Sequence, residues 1–490
     1  MTRSCPALAL TLMLAAGLSA VAEDREIPRR DPGVRPDPFG QPELGAVEEP
    51  AAGGATVSLA DAVALALEGN FGLRTQMDGV ASAQFFEAAS RARFHPKVTP
   101  SYAAGPNTRA FAVEASQAVP WTNGSVSAAG VFRQTNPDDV HSSDLRLTVS
   151  QPLLRGFGQT VATFELRNSE RATQAQRRTY ELARQRVAVD VAQAFYQVAR
   201  QRQLLEVARS SLDRSLGLMQ ASEERQKVGL ASRLDVLRAE LQAEQARDAA
   251  VSAEASLASA LEQFRTLLGL SPGARVEPDT VSLPDDIPLD VPPLEVLVSA
   301  AYANRLELHE ARDRIDDSRR SLHVARRNLL PQVDVNVAFI QTGLDERFPA
   351  LSLDIDRRVD VFLTTSYPLE RAADQASRAV AELDFVQRER TLRQRELELE
   401  GEVRAAVREL ERTHKSIQVQ RKRVEVADEQ QRLATLRYQR GLASNFDIVD
   451  AEANLVSART SLVSLLADFQ VDRYRLLRTT GELDVERDFR

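Results

Sequence analysis

Gly229-Leu230-Ala231-Ser232 recurs in this chain as Gly441-Leu442-Ala443-Ser444, 212 positions later. The match continues downstream at the same offset: Asp235 with Asp447, Ala239 with Ala451, Glu240 with Glu452. Self-similarity over this distance means a duplicated structural unit. Upstream, Phe94-His95-Pro96-Lys97-Val98 corresponds to Leu329-Leu330-Pro331-Gln332-Val333, and Ser150-Gln151-Pro152-Leu153 to Ser366-Tyr367-Pro368-Leu369. Leu59 opens one copy where Leu294 opens the other.

Between these markers each copy changes its periodicity. Val191, Val198, Leu205, Leu212 and Met219 recur every seven residues, with Val187, Ala194, Gln201, Ala208 and Ser215 alongside. Val403, Leu410, Ile417 and Val424 repeat the pattern, with Ala406, Thr413, Gln420 and Ala427 as companions. A sustained seven-residue spacing predicts coiled-coil packing. Small or polar companions let the helices approach closely. Proline is missing from the interior of both stretches, as long helices require. The predicted arms, about 160–226 and 370–438, are each about 100 Å long at 1.5 Å per residue.

Short alternating segments precede the arms. Leu145, Leu147 and Val149 alternate with Arg146, Thr148 and Ser150; Val333, Val335, Val337 and Phe339 alternate with Asp334, Asn336 and Ala338. Such segments suit tilted transmembrane strands of about 9–11 residues. Trp121, Tyr102 and Tyr367 suit a membrane interface. Each copy then reads helix, proline, strands, second proline, very long helix, glycine turn, return helix. The domain plan is residues 1–22 as a signal peptide and 23–56 as a flexible acidic N-terminus rich in proline and glycine. Repeat 1 is 57–270, with strands about 97–151, long helix about 160–226 and return helix about 232–268. A proline-rich linker is 271–293. Repeat 2 is 294–480, with strands about 332–367, long helix about 370–438 and return helix about 444–478. The tail is 481–490.

Composition excludes several classes. The 490 residues carry 62 basic and 70 acidic side chains, net −8, which gives no electrostatic reason to expect nucleic acid. A mean hydropathy of −0.30 excludes a polytopic helical membrane protein but not a β-barrel. Arg3, the apolar run Ala7–Leu18 and Ala20-Val21-Ala22 form a secretory signal. The one cysteine, Cys5, precedes that run, so the mature chain has no disulfide or thiol chemistry. The histidines, His95, His141, His309, His323 and His414, are scattered, and no phosphate loop or nucleophile elbow is present. The chain is not read as an enzyme and needs no cofactor. One copy has too few strands to close a barrel, and bilayers do not tolerate open strand edges, so several chains must complete one barrel.

On these residues, over about 57–480, the chain resembles the TolC-like outer-membrane factor family. The carriers are the signal peptide, the duplicated plan, Ser150-Gln151-Pro152-Leu153-Leu154 and the two glycine turns. The resemblance implies a homotrimer: a 12-stranded outer-membrane β-barrel continued by a periplasmic α-helical coiled-coil tunnel. It implies an exit duct of a tripartite efflux pump or type I secretion system, passing small molecules or polypeptides. It also implies a periplasmic adaptor (membrane fusion) protein and an inner-membrane RND-type pump or ABC exporter as partners. The other reading is an exported periplasmic coiled-coil scaffold without a channel. That reading leaves unexplained why strand blocks sit at equivalent points of a repeat.

By resemblance, Val228, Gly229, Leu230 and Ala231, with Arg440, Gly441, Leu442 and Ala443, form the adaptor-docking tip. Both glycines also suit helix C-caps. Asp447 and Asp450 match acids ringing the family's entrance gate, so three chains would place six carboxylates there. Ser232 with Asp235 and Ser444 with Asp447 also have capping-box spacing. Tyr438 and Asp235 match a closing latch, whose usual basic partner is replaced by Ala443; Arg440, Arg437 or Arg238 are candidates to take its place. Copy two is expected to line the gate, and copy one to supply the latch and the better docking site. One departure concerns the strands: 56 positions separate Pro96 from Pro152, against 37 between Pro331 and Pro368. A longer loop or an extra hairpin, Phe111–Phe132 around Asn123-Gly124, is expected there, and the strand count per chain stays open.

Overall fold

A computed structural model describes residues 55–106, 108–135, 140–279, 283, 289, 291–345 and 356–489. The signal peptide, and the N-terminal segment up to residue 54, lie outside the described residues. In chain order the elements of the first half are β1 (Ala55–Val57), α1 (Leu59–Gly69), α2 (Phe71–Ala92), β2 (Lys97–Ala104), β3 (Thr108–Ala118), β4 (Ser125–Thr135), β5 (Val140–Pro152), α3 (Gln159–Ala162), α4 (Phe164–Lys227) and α5 (Arg233–Leu267). Then come β6 (Val276–Pro278), α6 (Leu294–Asn304), α7 (Leu306–Asn328), β7 (Gln332–Asp345), β8 (Asp356–Ser366), α8 (Ala372–Gln439) and α9 (Asn445–Thr480).

The two long helices, α4 and α8, have 64 and 68 residues, about 100 Å each at 1.5 Å per residue. Each folds back at its glycine turn onto its return helix. The seven-residue series is the seam: Val191, Val198, Val403 and Ile417 are fully buried. Some of the polar companions find partners across the seam. Gln420 donates to the Ala458 carbonyl at 3.0 Å. Among the described residues no helix is long and apolar enough to cross a membrane.

The helix before the strands is broken in both copies. Asn70 and Arg305 are extended, with ψ near 118° and 117°, and split it into α1/α2 and α6/α7. Asn70 caps α2 by accepting from the Leu73 N–H at 3.1 Å. The break lets the end of a return helix stack on the start of the shorter helix. The Asn70 side chain donates to Leu267 O at 3.2 Å; in copy two Arg305 donates to Thr479 O at 3.0 Å. Thus α5 runs on into α2, and α9 into α7, each pair standing beside its own long helix. Gly269 and Gly481 sit at these junctions with φ +80° and +71°, again 212 positions apart.

Two segments read as connectors are ordered parts of the core. β1 pairs in parallel with β6, Ala55 opposite Val276, so the linker region 271–293 contributes a strand. In the tail, Leu483 and Phe489 are buried, and the Phe489 ring stacks on Tyr474 at 4.7 Å.

The main sheet is one antiparallel meander in the order β2-β3-β4-β5-β7-β8. Repeat 1 supplies four strands and repeat 2 two. The hairpin expected around Asn123-Gly124 is present, with Phe111 opposite Phe132. A twelve-stranded trimer needs four strands per chain; the sheet has six, because the hairpin is inserted between β2 and β5 instead of looping out. Asn123 carries φ +60°, as its turn demands.

Candidate functional site: the helical tips

The site is built by the two glycine turns. α4 ends at Val228, and Gly229 takes φ +77° so that the Leu230 N–H can donate to Arg225 O at 2.7 Å. Copy two repeats this with Gly441 at φ +76° and Leu442 donating to Arg437 O at 2.8 Å. Both are left-handed C-caps that satisfy helix-end carbonyls. The following residues point outward: Val228, Leu230 and Leu442 are each at least 68% exposed.

The acids divide by role. Ser232 and Asp235 form a capping box at the start of α5: Asp235 N–H donates to Ser232 Oγ at 3.2 Å, and Ser232 N–H to Asp235 Oδ2 at 3.1 Å. At α9 the Ser444 N–H donates to Asp447 Oδ2 at 2.7 Å and its hydroxyl donates at 2.9 Å. These bonds from serine hold both carboxyls below the ordinary aspartate range. Asp447 and Asp450 are solvent-exposed and line one open groove between α8 and α9, with Asp428, Glu429 and Arg437 among its other walls.

Tyr438 is buried, and its hydroxyl lies 3.1 Å from that of Ser222. Asn445 donates to Ser222 Oγ at 2.9 Å and to the Asp235 carbonyl at 2.8 Å. Tyr438 and Asp235 therefore belong to one network, but through Ser222 and Asn445. The Asp235 carboxylate itself is engaged by Ser232. An arginine also packs on Tyr438. Arg225 donates to the Tyr438 carbonyl at 2.6 Å, and its guanidinium lies 4.4 Å from the ring centre.

One turn deeper, Arg214 on α4 forms a two-pronged ion pair with Glu452 on α9, both N–O distances 2.8 Å. Sequence reading missed Ser222, Asn445, Arg225 and this pair. Its signal was available in part: the companion series ending at Ser215 reaches Ser222 one step on, and Val424 leads in two steps to Tyr438.

The outer membrane efflux protein model matches residues 62–270 and 297–482, the same two halves that the repeat defines. The chain belongs to the outer membrane efflux protein family. Solved channels share the fold at low identity. The outer membrane protein VceC of Vibrio cholerae is 17% identical, with TM-score 0.67 over 86% of this chain and 96% of that one. The CmeC outer membrane channel of Campylobacter jejuni is 14% identical, with TM-score 0.67 over 95% and 96%. The open-state MtrE outer membrane channel of Neisseria gonorrhoeae is 17% identical, with TM-score 0.62 over 90% and 97%. No curated protein matches it in sequence. As an outer membrane efflux protein it is a transport duct of the outer membrane with a large periplasmic portion.

Proposed function

We propose that three copies of this chain form the outer-membrane exit of a tripartite export machine. The observation that carries this is the duplicated glycine-turn tip, which leaves Val228, Leu230 and Leu442 exposed at the end of a long helical bundle. A periplasmic adaptor covers Val228–Ala231 and Arg440–Ala443, and an RND-type pump or ABC exporter in the inner membrane supplies the energy. Asp447 and Asp450 from three chains ring the entrance; the six carboxylates attract cations and oppose close approach of the helices. In single-channel recordings of the purified trimer, replacing both acids by alanine should weaken divalent-cation block at least tenfold; unchanged block removes them from the entrance.

The latch is the Tyr438–Ser222–Asn445–Asp235 chain, clamped by Arg225. It ties α8 and α9 of copy two to α4 and α5 of copy one. Asn445 is the only member bonded to both Ser222 and Asp235 among the described residues. Asn445→Ala should therefore raise the resting conductance severalfold in the same recordings. A resting conductance equal to wild type overturns the latch.

A further inference from the structure

The inserted hairpin β3–β4 cannot be an appendage of the sheet. β3 is laddered to β2 from Lys97↔Ser116 to Ala104↔Arg109, and β4 to β5 from Ser125↔Ser150 to Thr135↔Val140. Taking the hairpin out of the sheet would break both ladders. Its turn is also tied to the level where strands meet helices. The Asn123 amide donates to Gly156 O at 3.0 Å, Gln151 to Thr122 O at 3.3 Å, and Gln117 to Phe94 O at 3.1 Å.

Register decides which surface the hairpin presents. Phe111, Val113 and Ala115 lie opposite Phe132, Gly130 and Ala128, and share a face with Tyr102 and Val98 on β2. The same face continues through Leu145, Leu147 and Val149 on β5, then through Val337 and Phe339 on β7. It ends on β8 with Val359, Val361 and Leu363. One apolar band thus crosses all six strands without an interruption at the inserted pair. Many of its members, Val98, Tyr102, Phe111, Val149, Val361 and Leu363 among them, are exposed large hydrophobics. Apart from Val131, the opposite face of the hairpin is small or polar: Ala112, Glu114 and Ser116 against Val131, Ala129 and Ser127. Alternation of this kind, apolar outside and small or polar inside, is that of a membrane barrel wall with an open lumen. A one-residue slip at β3 or β4 would turn the hairpin's apolar set inward.

The edges of the sheet name the partner. β2 and β8 are its two outer strands, and every residue of β2 is exposed. β2 leaves the helical side and β8 returns to it, so β8 of one copy meets β2 of the next antiparallel, as the rest of the sheet already runs. A bilayer leaves no other way to satisfy those edges.

Resting on the trimer of the proposed function, we infer that the hairpin is part of the wall and that three copies close an eighteen-stranded barrel through β2–β8 joints. Strand spacing of about 4.8 Å and a tilt of about 40° give a backbone diameter of about 36 Å for eighteen strands, against about 24 Å for twelve. The outer-membrane segment is then about one and a half times as wide as four strands per chain would make it.

Cysteine pairs test the joint. The lone Cys5 belongs to the predicted signal peptide, so the background is clean. Chains carrying Val98→Cys or Tyr102→Cys together with Val359→Cys, Val361→Cys or Leu363→Cys, scanned to find the register, should convert most of the trimer to covalent multimers on mild oxidation in outer membranes. Intact trimers that crosslink only between Val126→Cys or Ala128→Cys on β4 and Val361→Cys on β8 would place β2 and β3 outside the wall and overturn the eighteen-stranded barrel alone. Chains that never form trimers would overturn the proposed assembly itself, and the barrel with it. Electron microscopy of the unmodified trimer in lipid nanodiscs gives the count independently: eighteen strands are expected, and twelve refute the inference.

Discussion

Gly269→Ala is expected to abolish recovery of folded trimer from the outer membrane. Two costs combine at this position. The backbone is left-handed at φ +80°, which an alanine adopts only at a penalty of about 1 kcal/mol or more. An added methyl would also stand 2.2 Å from the Gly69 carbonyl oxygen and 2.6 Å from its carbon, both backbone atoms that have no rotamer to yield. Overpacking of this kind costs about 1–3 kcal/mol and more when backbone must move. The sum, about 3–4 kcal/mol per chain, is a large share of the stability of an ordinary domain. It falls where α5 hands over to α2, so the long-helix bundle loses its alignment as well.

The other glycines grade the prediction. Gly273 has open space and an ordinary φ, so Gly273→Ala should leave yield and thermal stability unchanged. Gly229 has open space but φ +77°, so Gly229→Ala should cost about 1 kcal/mol through the backbone alone. At Gly481 a methyl would meet Asn304 and Arg305 atoms at 3.0–3.2 Å, with φ +71°, which places Gly481→Ala between those two and Gly269→Ala. Trimer yield and melting temperature should follow that order. A Gly269→Ala protein as stable as Gly229→Ala would show that the α5–α2 junction is not close-packed.

This gradation marks the border of what sequence could tell. Gly229 and Gly441 were legible as turns because each lies beside a serine three residues ahead of an acid. Gly269 was not singled out: its constraint is the Gly69 backbone, 200 positions away, and no local pattern encodes that approach. The break at Asn70 was invisible for the same reason. Both flanking segments favour helix, and only the stacking of α5 on α2 makes the break favourable. The hairpin β3–β4 was legible because alternation and Asn-Gly are local signals, while its place between β2 and β5 depends on partners far away. At the tip, the family resemblance pointed to Tyr438 and Asp235, and the structure does place them in one network. It could not supply Ser222, Asn445 or Arg225, whose roles follow from which helix faces which.

The contrast between Glu240 and Glu452 carries the second prediction. They are the same residue at equivalent points of the repeat, with the same surrounding pattern. Glu240 is exposed, whereas the Glu452 side chain is 5% exposed. The difference lies across the helix pair: Arg214 faces Glu452, and the residue 212 positions after Arg214 is Val426, itself 56% exposed. Within one chain the return helix of copy one leaves its glutamate exposed, and that of copy two buries it against a fixed fork of two 2.8 Å bonds. Removing the arginine strands a carboxylate that has lost its water, and breaking such a pair costs about 3–5 kcal/mol. Arg214→Ala is expected at the lower end, about 3 kcal/mol, because the Arg214 side chain keeps 30% of its exposure and some water already reaches the site. That exposure also makes the pair asymmetric. In Glu452→Ala the guanidinium can swing to solvent, so the loss should be about 1–2 kcal/mol. Replacing both residues by leucine removes the buried charge and should restore most of the lost stability. Glu240→Ala should change nothing measurable. Thermal unfolding of the detergent-solubilised trimer reads all four variants, and Arg214→Ala melting no lower than Glu240→Ala would mean that the pair does not hold α4 to α9. The prediction bears on the proposed gate, because Asn445 of the proposed latch and Asp450 of the proposed entrance lie on the same helix as Glu452. Arg214–Glu452 makes the two halves of the repeat unequal, joining α4 of copy one to α9 of copy two.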